Sequence, residues 1–271
     1  MKTPLLLISF SVIFCAALLT TMEHPQQKTS AEMSATQEMT KAANLFLKSL
    51  KKDKRTVANI DFKDKKRTKW SYLPDKFIKP DGIRYGLKLK DMTHQQRLFA
   101  YSLLNTALSQ KGSFTAHTIM AFEQVLLEIE NRPIRDTELY YVSIFGTPSD
   151  EDSWGWRFEG HHLSIHVTLV GGQHVSVTPS FYGSNPAIVN EGALKGLRVL
   201  GDEENMARQF AKSLTQQQLK QAVILQEAPA DIFTKDSTET DRAFFDLKKG
   251  LAYKDLDTKQ QEALVDLVKL Y

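Results

Sequence analysis

The sequence predicts an α+β fold, with an N-terminal helical pair, a central antiparallel β-hairpin or sheet, and C-terminal helices. Apolar and polar side chains alternate through Leu163–Thr168, stop at Gly171-Gly172 and then alternate again, which is the period of paired strands with one buried face. Capping boxes, in which a Thr or Asp precedes a Gln by three residues, open helices on both sides of this hairpin at Thr93, Thr215 and Asp257. Strands grouped between helices are typical of the α+β class.

The N-terminal part of the chain predicts a targeting segment and a linker. Residues 1–22 predict a secretory signal peptide, because a short basic start precedes an apolar run that reaches Leu19; an uncleaved anchor is the alternative. Residues 23–40 predict a linker, and residues 41–271 a single α+β domain. Cys15 is the only cysteine, so the mature chain would have no disulfide or thiolate site. We therefore expect a secreted or periplasmic protein that contacts the membrane only through this segment.

The formal charge of +3 is unevenly distributed. Between Lys41 and Lys69 there are eleven Lys and Arg residues against three Asp and Glu, and the remainder has a net charge of −5. A nucleic-acid-binding domain would be basic over a whole face, so we expect no nucleic-acid partner. The basic run is either a solvated edge or a surface attracted to an anionic envelope.

Three helices are predicted before the hairpin. The earliest covers Thr40–Leu50. The next would run from Thr93 to about Gln110 and stop at Gly112, and the third would begin at about Thr115. The last two should form an antiparallel pair. The apolar stripe of the third helix recurs at helical spacing and comprises Ile119, Phe122, Val125, Leu126 and Ile129.

The hairpin follows a strand predicted at Tyr140–Phe145, a run rich in β-forming residues. Its register depends on the length of the loop at Gly171-Gly172. A two-residue loop would place Val175 opposite Thr168 on the polar face, whereas a three-residue loop places Val175 opposite Leu169. Because a slip of one residue exchanges the two faces, the alternation predicts the three-residue loop.

The predicted C-terminal helices each begin at a capping residue. Asp202 would cap a helix that ends at about Ser213, and Thr215 one that ends at about Gln226. Asp257 would cap the last helix. No glycine-rich phosphate-binding loop and no internal repeat accompany these elements.

The strongest functional lead is the stretch Trp154–His166, which holds two of the three Trp and three of the seven His. Histidine is the commonest residue for proton transfer near neutral pH and for metal ligation. Imidazole beside carboxylate and guanidinium groups is how pKa values are tuned at active sites. The predicted catalytic residues are Arg157, Glu159, His161 and His162. The predicted metal ligands are His161 and His162, with His166 as a weaker candidate.

Distance restricts how a metal could bind here. His162 and His166 lie four residues apart on one predicted strand, or roughly 13 Å at about 3.3 Å per residue. They cannot share one ion, because zinc–nitrogen bonds are only about 2.0–2.1 Å long. A divalent metal ion would therefore need one of them together with ligands from elsewhere in the chain.

Aromatic residues predict a ligand-binding surface near the same stretch. Aromatic walls and a long structured loop are suited to a small molecule or to an envelope glycan or peptide. The predicted ligand-binding residues are Trp154, Trp156, Phe181, Tyr182 and Asn185.

Several motifs carry a resemblance to a known family. They include the Thr93–Arg97 helix start, a Y-x-x-x-x-F-G-x-P pattern over Tyr141–Pro148, W-x-x-R-x-x-G-H-H-L-S over Trp154–Ser164, and Thr178–Pro186. On these motifs the chain, from about Ala42 onward, resembles the mostly secreted bacterial proteins of domain of unknown function 3500. The resemblance implies little about activity, because that family is defined without a known function.

Two departures from the family pattern bear on the site. The position of His166 is usually Asn in the family, which makes His166 a weaker candidate than the His pair. Family members also tend to continue past a helix like Asp257–Tyr271 into a β-segment with a His-x-His element and a nearby Arg-Asp. If that segment supplies site residues, we expect this chain to be a truncated, inactive or partial form.

Three functional readings follow from the sequence. The first is a metal-assisted enzyme of the envelope or the exterior, with its site at Arg157–Ser164. The second is a non-catalytic envelope module that binds a glycan or peptide. The third is a structural turn in which His161 and His162 bond only to backbone groups. They differ in whether His162, Glu159 and Arg157 converge on one cleft.

Overall fold

The structure is a computed structural model that describes residues 33–232 and 250–270. These residues form an α+β fold, as predicted. Along the chain, helices come both before and after the long strands of a mixed sheet. The helices are α1 (Ala35–Ser49), α2 (Lys52–Ala58), α3 (His94–Asn105), α4 (Gln110–Glu130), α5 (Gly201–Ser213), α6 (Gln216–Ala222) and α7 (Thr258–Val268). The strands are β1 (Asn59–Ile60), β2 (Leu87–Lys88), β3 (Tyr140–Phe145), β4 (Trp154–Gly160), β5 (Leu163–Val170), β6 (His174–Ser176) and β7 (Ser180–Tyr182).

The sheet is centred on three long antiparallel strands, β3, β4 and β5. Its order is β1-β3-β4-β5-β6, with β2 also pairing with β3 and β7 with β5. Only the short β1 runs parallel to its neighbour. Consecutive strands can pair in this antiparallel way through short turns, which explains the compact β3–β4–β5 meander.

The N-terminal predictions fall partly outside the described residues. The predicted signal peptide, residues 1–22, lies there together with Cys15 and the first part of the predicted linker. Helix α1 begins at Ala35, so the end of the predicted linker at residues 35–40 is helical. Ser34 forms a capping box whose first turn is mostly polar, and apolar spacing therefore gave no signal there. In the described part of the chain, no helix is long and apolar enough to cross a membrane.

The predicted register of the hairpin is confirmed, because Val175 lies opposite Leu169. Gly171 and Gly172 adopt positive φ angles of 57° and 67°, which suit glycine in a tight connection. The second strand is interrupted after β6, and β7 resumes with its register shifted by one residue. The shift adds one residue to the outer strand, as a bulge does.

The helical pair in the N-terminal half differs from the predicted one. Helix α3 packs along α1, and α4 packs on β5. Helix α4 begins at Gln110 rather than Thr115, because Ser109 accepts a hydrogen bond from the amide of Gly112 and so caps it. Gly112 therefore lies inside a helix that it was expected to precede. Ile129, predicted to face inward, is 62% exposed.

The C-terminal helices agree with the capping predictions at Thr215 and Asp257. Asp202 is different, since it lies in the first turn of α5 and makes no side-chain cap. Its charge there still suits the positive end of the helix dipole. Helix α6 ends at Ala222, before the predicted Gln226.

Strand β4 and most of β5 are buried on both faces, whereas β6 is exposed. On one face, Trp154, Trp156 and Phe158 join the apolar residues of β5 in a core against α1, α3 and α4. On the other face, Arg157 and Glu159 are 1% and 2% exposed. The prediction of a single buried face is therefore wrong. The polar side chains of β4 and β5 are covered by the irregular segment 66–85, whose main-chain groups supply hydrogen-bond partners.

Candidate functional site

The alternation of β4 separates the predicted catalytic residues into two clusters. Arg157 and Glu159 point to the face covered by the segment 66–85. His161, in the turn after β4, instead contacts Glu123 of α4, on the helix side of the sheet. The predicted single cleft shared by His162, Glu159 and Arg157 is therefore divided between the two sides of the hairpin.

Glu159 is the centre of the first cluster. Its Oε1 lies 2.7 Å from Nη1 of Arg84. Its Oε2 accepts hydrogen bonds from the amide of Ser71 at 3.1 Å and from the hydroxyl of Ser164 at 2.9 Å. Nε of Arg157 lies 3.8 Å from the same oxygen. Both carboxylate oxygens are thus occupied by groups of the protein itself.

Two guanidinium groups keep Glu159 ionised. Burial alone would raise the pKa of Glu159, but the charges of Arg157 and Arg84, with a hydrogen bond from His166, hold this pKa well below its ordinary range. Burial lowers the pKa of His166, against the opposing effect of Glu159. Nε2 of His166 lies 3.2 Å from Oγ of Ser164 and 3.5 Å from Oε2 of Glu159. The cluster is therefore a neutral imidazole beside a fixed carboxylate.

Arg84 connects this cluster to the covering segment. Its Nη1 donates to the main-chain oxygen of Ser71 at 2.6 Å, and its Nε pairs with Oδ1 of Asp75 at 3.1 Å. Asp75 in turn accepts from the hydroxyl of Tyr141 at 2.6 Å. Burial would lower the pKa of Arg84, but Glu159 and Asp75 outweigh it and raise this pKa. The segment is thus held on the sheet by charge-assisted hydrogen bonds.

A pocket of about 380 Å³ opens over this ion pair. Glu159 and Arg84 lie at its base, and residues 69–71 and 78–85 form its walls. Trp70 contributes an aromatic wall, and Lys69 and Lys79 are the lysines that line the pocket. Its volume falls in the range of pockets that hold small molecules.

The second cluster surrounds His161. Nδ1 of His161 contacts Oε1 of Glu123 and lies 3.2 Å from Nη1 of Arg135. One ring nitrogen can make only one of these hydrogen bonds, and donation to the buried carboxylate is the stronger one. Arg135 has its own partner, because it binds both carboxylate oxygens of Glu130 at 3.0 Å. Glu123 thus fixes the orientation of the His161 ring.

His162 occupies an unusual backbone conformation for a side chain of its size, with φ at 59°. Its amide donates to the main-chain oxygen of Tyr72, and its carbonyl accepts from the amide of Gly183, which holds the turn in place. The His161 and His162 rings lie 3.9 Å apart. Burial, with the charges of His161 and Arg135, lowers the pKa of His162 to about 3. His162 is therefore neutral at physiological pH.

The predicted ligand-binding residues do not form one surface. Trp154 and Trp156 are 0% and 1% exposed in the helix-side core and cannot meet a ligand. Phe181 stacks on Tyr72 with ring centroids 4.5 Å apart, near Trp70. Tyr182 packs against the core, and Asn185 is exposed in the following loop. The tryptophan at the pocket is Trp70, which lay outside the predicted stretch.

Sequence reasoning missed four residues that complete the two clusters. They are Ser71, Arg84, Glu123 and Arg135. Glu123 and Arg135 lie 38 and 26 positions from His161 in sequence, and no local pattern links them. Glu123 could have been suspected, because it is a charged residue on the apolar stripe of α4. Such residues are almost never buried without a partner.

The arrangement of donors does not suit a metal ion. Among the described residues, no three His, Cys, Asp or Glu side chains come together as ligands. A guanidinium group also lies beside each carboxylate that could contribute, since Arg84 pairs with Glu159 and Arg135 adjoins the Glu123–His161 pair. A cation placed there would be repelled.

Comparison with known proteins gives one match. A family model described as a protein of unknown function, DUF3500, matches residues 32–271. No curated protein and no solved structure matches the chain. Because the match covers nearly the whole sequence, the chain belongs to the DUF3500 family.

Proposed function

We propose that this protein is a non-catalytic envelope module that binds a small acidic glycan fragment in the pocket over Arg84 and Glu159. The observation that carries the proposal is the contrast between base and rim. The base is a buried ion pair whose groups already satisfy one another, whereas the rim carries Lys69 and Lys79. Neither lysine forms an ion pair with another described residue. The rim is thus free to bind an anion.

The lining of the pocket favours a ligand with a sugar-like surface. Trp70, Ile78 and Ile83 provide apolar contacts, and main-chain and charged groups provide hydrogen bonds. Aromatic rings bring large contact areas with little loss of side-chain entropy. Three basic and two acidic side chains line the pocket, so a ligand with one negative charge is favoured.

The geometry gives less support to a role for Glu159 as a general base. A base works best when its pKa lies near the working pH and when an oxygen is free to take a proton. Arg84, Ser71 and Ser164 occupy both oxygens of Glu159, and its pKa is held low. This carboxylate is better suited to fixing the base of a binding pocket than to moving protons.

Two sugars that differ in one carboxylate test the proposal. N-acetylmuramic acid carries a lactyl carboxylate that N-acetylglucosamine lacks. Only the first should raise the unfolding temperature, by an amount that grows with the logarithm of its concentration above the Kd. Lys79→Ala should weaken the binding of N-acetylmuramic acid about tenfold, since a hydrogen bond to a charged group contributes about 1.5 kcal/mol. Lys220→Ala, an exposed change on α6, is the matched control. Equal responses to both sugars, or equal effects of both variants, would count against it.

Metal-assisted catalysis and export stay predictions. The test for a metal is elemental analysis of the purified protein before and after His162→Ala, and metal content that the change leaves unaltered would contradict the prediction. Export depends on residues 1–22, and N-terminal sequencing of the mature protein would check the cleavage.

A further inference from the structure

The loop 76–83 presents apolar side chains to solvent beside the pocket. Phe77 is 48% exposed and Ile83 is 50% exposed. Lys76 and Lys79 are exposed in the same loop, and Nζ of Lys76 lies 4.9 Å from the centroid of the Phe77 ring. The Phe77 ring thus lies beside an ammonium group, and Ile83 lies on the same loop, where Lys76 and Lys79 are opposed by the single carboxylate of Asp81.

The neighbouring segment extends the positive surface. Lys63, Lys65 and Lys69 are exposed. The contact of Lys66 with the Tyr85 ring and the shared pocket wall place this segment beside the loop. Residues 63–84 contain eight Lys and Arg against three Asp and Glu. Together, the exposed residues of 63–69 and 76–83 are called the lysine–Phe77 surface.

The exposure of Phe77 is imposed by a fixed backbone. The amide of Phe77 donates to the main-chain oxygen of Pro74 at 2.8 Å, and that of Gly82 to the oxygen of Ile78 at 2.7 Å. Arg84 and its partners anchor the end of the loop to the sheet. Because the loop cannot fold back freely over its own apolar side chains, Phe77 and Ile83 stay available for an external partner.

We propose that the lysine–Phe77 surface docks on an anionic phospholipid bilayer, with Phe77 and Ile83 entering the interfacial region and the lysines contacting headgroups. Lysine is depleted at protein–protein interfaces, whereas basic residues around apolar side chains are characteristic of membrane-surface segments. Each lysine near an anionic leaflet contributes about fivefold to binding. Lys69, Lys79 and Ile83 belong both to this surface and to the pocket wall. Docking therefore brings the pocket opening to the headgroup layer.

This inference goes beyond the glycan pocket and can be tested apart from it. Lys76 and Phe77 do not line the pocket. The combined variant Lys76→Ala with Phe77→Ser should therefore lose vesicle binding and keep its response to N-acetylmuramic acid. Failure of the sugar response in the unchanged protein would affect only the proposed function.

The experiment is sedimentation of the full chain with vesicles of phosphatidylcholine, with and without phosphatidylglycerol. We expect binding that requires phosphatidylglycerol and weakens as salt is raised, because exposed charges are screened. The combined variant should bind at least tenfold more weakly. The controls are Phe114→Ser, at a side chain that is 70% exposed on α4, and Lys220→Ala. The N-terminal apolar run is present in every protein compared.

Two results would overturn the proposal. One is binding by the combined variant that equals that of the Phe114→Ser control. The other is retention on a soluble polyanion such as heparin with no dependence on phosphatidylglycerol, which would assign the surface to a polyanion instead of a bilayer.

Discussion

The two faces of the central sheet reach similar burial by different means. On the helix side, Trp154 and Trp156 fill a core of apolar side chains. On the opposite side, Arg157 and Glu159 are equally buried but depend on charged partners and main-chain groups. The four residues alternate along one strand, so neighbouring positions meet entirely different environments.

The difference affects how each face tolerates change. An apolar face stabilises in proportion to the area it removes from water, and each loss is local. A charged face stabilises only while it is complete, because a buried charge without its partner is strongly destabilising. In the part of the chain that the structure describes, each face leaves one buried nitrogen without a hydrogen bond, Nε1 of Trp156 and Nε of Arg157.

The largest expected effect lies on the charged face. Glu159→Gln keeps the shape of the side chain but leaves Arg157 buried without an anion and leaves Arg84 with Asp75 alone. We expect the free energy of unfolding to fall by about 3–5 kcal/mol, as when one partner of a buried ion pair is removed. Urea denaturation measures it. Ser164→Ala, which removes one hydrogen bond to the same oxygen, should cost only about 1 kcal/mol.

If Glu159→Gln lowers the free energy of unfolding by less than about 1 kcal/mol, the contrast between the two faces is contradicted. The charged face would then behave like an ordinary exposed surface. Adding Arg84→Met to Glu159→Gln should restore part of the stability, and a double-mutant cycle gives the coupling energy.

An intermediate effect depends on pH and separates the hairpin turn from the charged face. The folded pKa of His162 is about 3, below its ordinary value of 6.5. The unfolded chain therefore binds a proton that the folded chain does not as the pH falls below 6.5. The stability from this residue is complete above pH 6.5 and is lost toward pH 3, by about 1.4 kcal/mol per pH unit. At pH 5 the loss is about 2 kcal/mol.

The groups that face His162 are His161 and Arg135, with Glu123 and Glu130 behind them. His162→Asn removes the titration and suits the left-handed backbone, so its unfolding free energy should depend less on pH between 7 and 5. Glu159 titrates in a different range, because its depressed pKa maintains its contribution until the pH falls below its unfolded value of 4.5. Identical pH slopes for the unchanged protein and His162→Asn would contradict the assignment.

The smallest expected effect compares two tryptophans on the apolar face. Nε1 of Trp154 donates to the main-chain oxygen of Ser149 at 3.0 Å, whereas Nε1 of Trp156 has no partner among the described residues. Trp154→Phe loses a hydrogen bond, whereas Trp156→Phe removes a buried N–H donor that has no acceptor. We therefore expect Trp154→Phe to be more destabilising by about 1 kcal/mol. If denaturation gives equal losses in the free energy of unfolding for the two variants, the packing of the rings outweighs the hydrogen bond.

The predictions that succeeded rest on short-range interactions. The register of the hairpin followed from alternation over eight residues, and the caps at Thr93 and Thr215 followed from a three-residue spacing. The predictions that failed have two different causes. Gly112 was expected to stop a helix, whereas Ser109, three residues earlier, caps α4, so a local signal was misread there. Trp156 was expected to meet a ligand, whereas helices distant in sequence cover it in the core.

By itself, the sequence determined the α+β class, the strand pairing at the hairpin and three helix starts. These depend on periodicity and on contacts between residues a few positions apart. Only the tertiary structure decided that Glu159 meets Arg84 while His161 meets Glu123, on opposite sides of the sheet. Charged groups find buried partners according to how the chain returns in space, and spacing along the sequence does not encode that return.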